Sequence, residues 1–245
     1  MSEVVFVGTS DAFGAGGRRQ SAILLRAPGG GVLLDCGATT TTGLAELGIE
    51  RAEIASIVVS HFHGDHFAGI PGLLLAALYE DERKEALRIA GPPGVETRVR
   101  ALADAMGYGL HEREWSFPIL FEEVSARREV EVGPVRVAAF EVRHQLHTHP
   151  HGLVVSTGRE RVAYSGDTGW FDELPRRVVG VDLFICECTY HGEGFGLHLS
   201  HARLRAHREE FECGRMLLTH LGRDMVERRD ELDFETADDG LVLEL

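Results

Sequence analysis

Short runs of aliphatic and β-branched residues broken by tight turns dominate the first sixty positions: Val4 to Val7, Ser21 to Arg26, Val32 to Leu34 and Ile54 to Ser60. Their brevity and their Gly, Asp and Ser flanks predict strands. Thr39 to Leu47 fits a helix closed by Gly48. After a polar cluster at 61–66, Pro71 occupies a first-turn position for a helix through Leu73 to Leu78 that fades into the charged run Glu80 to Glu85. Leu87 to Ala90, the turn Gly91-Pro-Pro-Gly94 and a helical stretch to about Met106 follow. Farther on, Arg128 to Val132 and Val135 to Val142 flank Gly133-Pro134 as one hairpin, and Leu153 to Ser156 with Val162 to Tyr164 form another. Val181 to Ile185 reads as a buried strand. Ser200 caps a helix running to about Glu212, and Gly214 precedes the strand Met216 to Thr219. The Asp/Glu-rich stretch 224–239 reads as a solvated surface. Strands and helices mixed in both halves imply an α/β fold layered helix, sheet, sheet, helix, with 1–245 as a single domain built from two similar α/β halves.

Composition narrows the class. The chain has 245 residues with 44% hydrophobic positions, enough for a substantial core. Lys84 is the only lysine, and 25 basic against 39 acidic side chains leave a net charge of −14, which argues against broad affinity for extended nucleic acid or an anionic membrane. The longest apolar run, Leu73 to Leu78, falls far short of the roughly 20 residues that cross a bilayer, so no membrane association is expected. No export signal is visible near Met1, and Cys36, Cys186, Cys188 and Cys213 form no Cys-x-x-Cys pair; a reducing cytoplasm is the expected setting.

The chemistry concentrates in Ser60-His-Phe-His-Gly-Asp-His66, between a strand and a helix. Three imidazoles and a carboxylate within six residues make a poor core and a good site for a borderline cation such as zinc; the alternative is a polar loop of unrelated histidines. His144, Asp167 and His220 each follow a β run, and His198 precedes the cap Ser200. Side chains at strand ends are held by the sheet while the surrounding loops shape a pocket. Asp35 reads either as a partner orienting a ligand imidazole or as a buried turn aspartate. Gly14, Gly16 and Gly17 beside Arg18 and Arg19 read as a flexible loop before a phosphate contact, and His147, His149 and His151 as exposed histidines before pocket lining. Trp115, Phe117, Phe121 and Phe140 read as core before stacking platforms. His191, His201 and His207 receive no role.

With these residues in view, the sequence resembles the metallo-β-lactamase superfamily over nearly its full length: His61-x-His63-x-Asp65-His66 matches the signature, and His144, Asp167 and His220 follow in order. The resemblance implies a four-layer αββα sandwich and two divalent metal ions, Zn2+ first with Mn2+ or Fe compatible. His61, His63 and His144 would hold one ion, Asp65, His66 and His220 the other, with Asp167 bridging. Within the superfamily, Gly8-Thr9 with Arg18, Leu34-Asp-Cys-Gly37, Gly69-Ile-Pro-Gly-Leu73 and His198-Leu-Ser200 are similar to the branch of ribonuclease Z and related phosphodiesterases. Asp167 lies only 23 positions after His144, an interval in which ribonuclease Z carries its long transfer-RNA arm.

The resemblance implies a dinuclear hydrolase that uses a metal-bridging hydroxide, with Asp65 and His198 catalytic: Asp65 orients the hydroxide or takes its proton, and His198 serves the departing oxygen. A small or local anionic phosphodiester is the expected substrate; a homodimer is compatible. A thioester or lactone hydrolase, like glyoxalase II or the lactonases, is the enzymatic alternative. A non-catalytic metal-binding or redox sensor domain is the other, set against a complete ligand set and against flavo-diiron relatives that carry an acid where this chain has His63.

Overall fold

A computed structural model describes residues 2–126 and 128–245. The first half contains β1 (Glu3–Gly8), β2 (Ala22–Ala27), β3 (Gly30–Leu34), α1 (Thr40–Glu46), β4 (Ile54–Val58), α2 (Gly64–Phe67), α3 (Ile70–Tyr79), β5 (Leu87–Gly91), α4 (Val95–Ala105) and β6 (Ile119–Glu123). The second contains β7 (Val130–Val132), β8 (Val135–Glu141), β9 (His151–Ser156), β10 (Arg161–Tyr164), α5 (Leu174–Arg177), β11 (Leu183–Glu187), α6 (His201–Ala206), β12 (Arg215–Thr219), α7 (Arg223–Glu227), β13 (Glu235–Thr236) and β14 (Val242–Glu244). One seven-stranded sheet runs β14-β1-β2-β3-β4-β5-β6 and the other β13-β12-β11-β10-β9-β8-β7.

The period of two along each strand creates the layers. Val4, Phe6, Ile23 and Leu25 of the first sheet meet Val137, Val155, Tyr164 and Ile185 of the second in one inter-sheet core. The alternate residues Val5, Val7 and Leu24 face outward and are covered by Leu44 of α1, Leu73 and Leu74 of α3 and Val99 of α4. On the opposite outer face Phe184, Cys186 and Leu218 pack beneath Leu174, Leu204 and Met225 of α5, α6 and α7. The result is a helix–sheet–sheet–helix sandwich with a buried seam between the sheets. Trp115, Phe117, Phe121 and Phe140 pack in or against these cores, as the sequence reading has it.

Most boundaries lie within a few residues of the sequence pattern. The helix expected from Ser200 to about Glu212 is shorter: α6 ends at Ala206 and a 3-10 turn, Arg208–Glu210, takes over. The 224–239 stretch is a correction, because it is structural as well as solvated. Met225, Phe234 and Ala237 are buried in it, and Asp239 clamps the first sheet. Its Oδ1 accepts from the Thr9 amide at 2.9 Å and the Thr9 hydroxyl at 2.8 Å, and its Oδ2 accepts from the Arg19 amide at 2.8 Å. Arg18 pairs with Asp238, and Arg19 with Glu46. Both arginines beside the glycine loop are thus occupied by the fold. Asp239→Ala is expected to leave two amides unpaired and cost about 3 kcal/mol; urea unfolding reads this, and a loss below about 1 kcal/mol would show that water substitutes for the clamp.

Candidate metal centre

Because β10, β11 and β12 are mutually parallel, as are β3 and β4, their C-terminal ends meet at one edge of the sandwich. His61 and His63 lie in the loop after β4, Asp65 and His66 on α2, His144 after β8, Asp167 after β10, and His220 after β12. Asp35, which follows β3, and His220 both adopt left-handed backbone, with φ of 60° and 55°; such non-glycine outliers gather where a site over-determines the chain. The Cys36 amide donates to the His66 carbonyl at 2.7 Å, and a Cβ on Gly37 would sit 2.4 Å from the Asp65 carbonyl oxygen. Only glycine lets the turn after β3 lie this close to α2.

Two donor groups result. His61, His63, His144 and Asp167 converge in one; Asp65, His66, Asp167 and His220 converge in the other. All seven side chains except His63 are buried. In the first group the His61 and His144 Nε2 atoms lie 3.0 and 3.1 Å from His63 Nδ1, and 3.7 and 3.8 Å from Asp167 Oδ2. In the second, His66 and His220 Nε2 approach Asp65 Oδ2 at 3.2 and 3.3 Å and Asp167 Oδ1 at 3.3 and 3.4 Å. Each oxygen of Asp167 therefore faces a different group.

Whether this arrangement suits cations can be read from its hydrogen bonds. His144 Nδ1 donates to the Leu197 carbonyl at 2.9 Å, and His66 Nδ1 donates to Asp35 Oδ2 at 2.6 Å. In each neutral ring the lone pair is then left on Nε2, aimed into the cluster. His66 Nε2 and Asp167 Oδ1 are buried without a hydrogen-bond partner. With the rings neutral, lone pairs and carboxylate oxygens would converge and repel one another, and a divalent cation would satisfy both.

Without a cation, protons on the imidazoles supply the positive charge that the buried carboxylates call for. Burial pushes His61 well below the ordinary imidazole value and keeps it neutral. Burial acts the same way on His66, but Asp167, Asp65 and Asp35 outweigh it and hold that imidazole well above its usual range. For Asp167 burial favours the neutral acid, yet His220 and His66 keep the carboxylate ionised well below its normal range. Asp65 is likewise lowered against burial, by His66 and His220.

Asp35 is a positioning group. Besides His66 it accepts from the Ser60 amide at 2.7 Å, the Ser60 hydroxyl at 2.8 Å and the Tyr164 hydroxyl at 2.9 Å. Asp35→Asn is expected to weaken divalent-metal affinity by about 10–100-fold in a chelator competition, with the thermal midpoint as the folding control; unchanged affinity would make it a turn residue alone.

His198 stands beside both groups, its ring 4.9 Å from His144 and 5.6 Å from His220 by centroids. Its Nδ1 donates to Glu187 Oε1 at 2.9 Å. Glu187 is fully buried and is held by the amides of Thr168 and Thr189 at 3.0 and 3.1 Å. Burial lowers the His198 imidazole, but Glu187 more than reverses this and raises it above its ordinary value. Glu187, His198 and His220 also lie close enough together to form a third donor group. His220, however, turns Nδ1 to Thr189 Oγ1 at 3.0 Å and Nε2 to Asp65 and Asp167, which commits it to the second group.

Glu187 escaped the sequence reading, although an acid at the end of an apolar strand is the same signal that marked the other positions. His147 and His149 are exposed and His151 is half-buried; the His147 ring lies 6.4 Å from that of His63, at the rim.

The sequence profile of the family described as Anti-Pycsar protein Apyc1 matches residues 2–237. The chain belongs to this family. The match to the Apyc1 family covers β1 to β13 and every residue of the two donor groups. Ribonuclease Z of Methanothermobacter thermautotrophicus is 36% identical over 146 residues, which is 60% of this chain and 46% of that protein. The chain spans about half the length of this and further curated relatives of that name. Among solved structures, the metallo-β-lactamase fold protein YhfI from Bacillus subtilis is 20% identical with a TM-score of 0.79, covering 100% of both chains. The short form of human tRNase Z is 23% identical with a TM-score of 0.77, covering 99% of this chain and 98% of its own. The fold of this Apyc1 family member is thus the metallo-β-lactamase αββα sandwich.

Proposed function

We propose that this protein is a dinuclear metal-dependent hydrolase of phosphodiester bonds in small anionic substrates. The observation that carries the reading is Asp167, whose two oxygens are shared between two donor groups beside the His198–Glu187 pair. His61, His63, His144 and Asp167 would hold one ion and Asp65, His66, His220 and Asp167 the other; the nitrogen and oxygen donors suit zinc and are shared by manganese and iron. Bound divalent cations acidify water toward neutrality and offset charge on phosphoryl oxygens.

The protein's own groups supply the remainder. Asp65, kept ionised, orients the attacking water and takes its proton. The water oxygen bonds to phosphorus as the bond from phosphorus to the alcohol oxygen breaks. His198, with Nδ1 tied to Glu187, delivers a proton from Nε2 to that departing oxygen. The products are a phosphomonoester and an alcohol.

An imidazolium beside a strongly cationic centre complements the extra negative charge of a phosphodiester transition state better than that of a neutral ester. Relatives named ribonuclease Z and tRNase Z support the same bond type. The acidic surface supports a small substrate over a long polyanion. The short His144–Asp167 interval, spent on a turn and the β9–β10 hairpin, supports the same reading. Among the described residues no helix is long and apolar enough to cross a membrane, and four free thiols, three of them buried, support a reducing, cytoplasmic setting.

The test is side-by-side turnover of bis(p-nitrophenyl) phosphate, a lactone and a glutathione thioester by metal-quantified protein. Diester hydrolysis that disappears with chelator and returns with added metal is expected. Turnover of the lactone or thioester alone would overturn the assignment.

A further inference from the structure

The segment that carries His198 runs from β11 to α6 without a helix or strand of its own, and its exposed part alternates Gly192, Gly194 and Gly196 with Glu193 and Phe195. Such a stretch has little rigidity of its own. It also offers the Leu197 carbonyl to His144. The place of His198 therefore depends on what holds the base of this loop.

The base is closed by backbone hydrogen bonds and by two histidines that belong to neither donor group. The Tyr190 amide donates to the Leu199 carbonyl at 3.2 Å, the His201 amide to the Tyr190 carbonyl at 2.8 Å and the Ala202 amide to the His191 carbonyl at 3.1 Å. Ser200 caps α6 by accepting from the Arg203 amide at 3.2 Å. The His191 and His201 rings stack at this neck, with centroids 5.2 Å and planes 16° apart, and Phe234 meets His201 edge-on at 5.8 Å. His201 is buried, and its Nε2 donates to Asp233 Oδ1 at 2.7 Å. The His191 amide donates to Asp224 Oδ2 at 3.0 Å.

Asp233 belongs to a stretch that is itself tied to the first sheet. Arg229 pairs with Asp238 and donates from Nε to Thr236 Oγ1 at 2.9 Å, Asp238 also pairs with Arg18, and Asp239 holds the amides of Thr9 and Arg19. His198, on a loop of the second sheet, is thus referred through His201 and Asp233 to the sheet whose loops carry His61 to His66. An apolar side chain would serve at position 201 if burial were the only need. A directional hydrogen bond from a buried ring fixes the first turn of α6 in a way that packing against Phe234 alone does not. Asp233 is exposed, so this bond adds little to global stability.

We propose that His201 and Asp233 are a positioning pair for His198: their hydrogen bond fixes the base of the loop and with it the place of the His198 ring beside both donor groups. The proposal rests on the phosphodiesterase reading, in which His198 protonates the departing oxygen. Neither His201 nor Asp233 touches the substrate. A shift at the base of the loop is carried over three residues to His198, where proton transfer demands hydrogen-bond contact with that oxygen.

Three metal-loaded variants test this: His201→Leu, Asp233→Ala and Asp233→Asn, the last keeping an oxygen that accepts from His201 Nε2. On dibenzyl phosphate, whose benzyl alkoxide needs a proton to depart, the first two are expected to lower kcat about tenfold with KM within about twofold of the intact protein. On bis(p-nitrophenyl) phosphate, whose phenolate leaves unaided, they should lose less than about twofold, with metal content unchanged. Asp233→Asn should retain most of the dibenzyl rate. Asp233→Ala combined with His198→Ala should cost no more than His198→Ala alone, because the pair acts through that ring. Equal losses on both diesters, loss of metal, or a double variant slower than His198→Ala by the full factor of Asp233→Ala would overturn the pair while leaving diester hydrolysis standing. An intact protein that turns over a lactone and neither diester would instead remove the reading on which the pair rests.

Discussion

Asp167→Ala is expected to reduce bound divalent metal from about two ions per chain to one or none and to lower kcat/KM on bis(p-nitrophenyl) phosphate by at least about 10³, because several kcal/mol of charge stabilisation are lost together. The expectation follows from where its two oxygens lie. Oδ2 faces His61 and His144, and Oδ1 faces His66 and His220. Removing one carboxylate thus takes a ligand from each donor group. It also takes away the negative charge that holds the buried His66 and His220 imidazoles above their ordinary range. Metal analysis after gel filtration, alongside the rate, checks the prediction. Two ions retained at full occupancy would refute the shared role of Asp167.

His198→Ala is expected to leave the metal content intact and to cut kcat by about 10²–10³ on a diester with an alkyl leaving group. On a nitrophenyl diester the loss should be below about tenfold, because a stable phenolate departs without a proton donor. Glu187→Gln should show the same dependence on leaving group with a smaller loss, since Glu187 acts by orienting the His198 ring and favouring its protonated form. A merely structural defect would lower both substrates equally. Loss of metal in His198→Ala would instead recast Glu187, His198 and His220 as a ligand group.

Much of the architecture was legible along the chain. Alternation of outward and inward residues in Val4 to Val7 and in Val162 to Tyr164 places each strand between an inner and an outer core, and the two hairpins at Gly133-Pro134 and 157–160 have the expected antiparallel pairing. Elements with weaker local signals were not legible. The acidic-tailed strand Ile119–Glu123 and the four-residue helix Leu174–Arg177 carry too few periodic positions. The terminal strand Val242–Glu244 gains its identity only by pairing with Glu3 to Val5 at the far end of the chain. The 224–239 stretch misled for a related reason: its acids bind the Thr9 and Arg19 amides and Arg18, partners more than two hundred positions away.

The sequence by itself determined which donor side chains are available to the candidate site. His61, His63, Asp65 and His66 are close in the chain, and His144, Asp167 and His220 sit at the ends of recognisable β runs, so residue type and strand-end placement are local facts. Only the tertiary structure decided how these groups face one another. It alone divides Asp167 between two donor groups, resolves Asp35 as the partner of His66, and pairs the buried Glu187 with His198. These relations join the ends of strands that are neighbours in the sheets and distant in the chain. Hydrogen-bond direction and distance exist only once the parallel strands have brought those ends to a common edge.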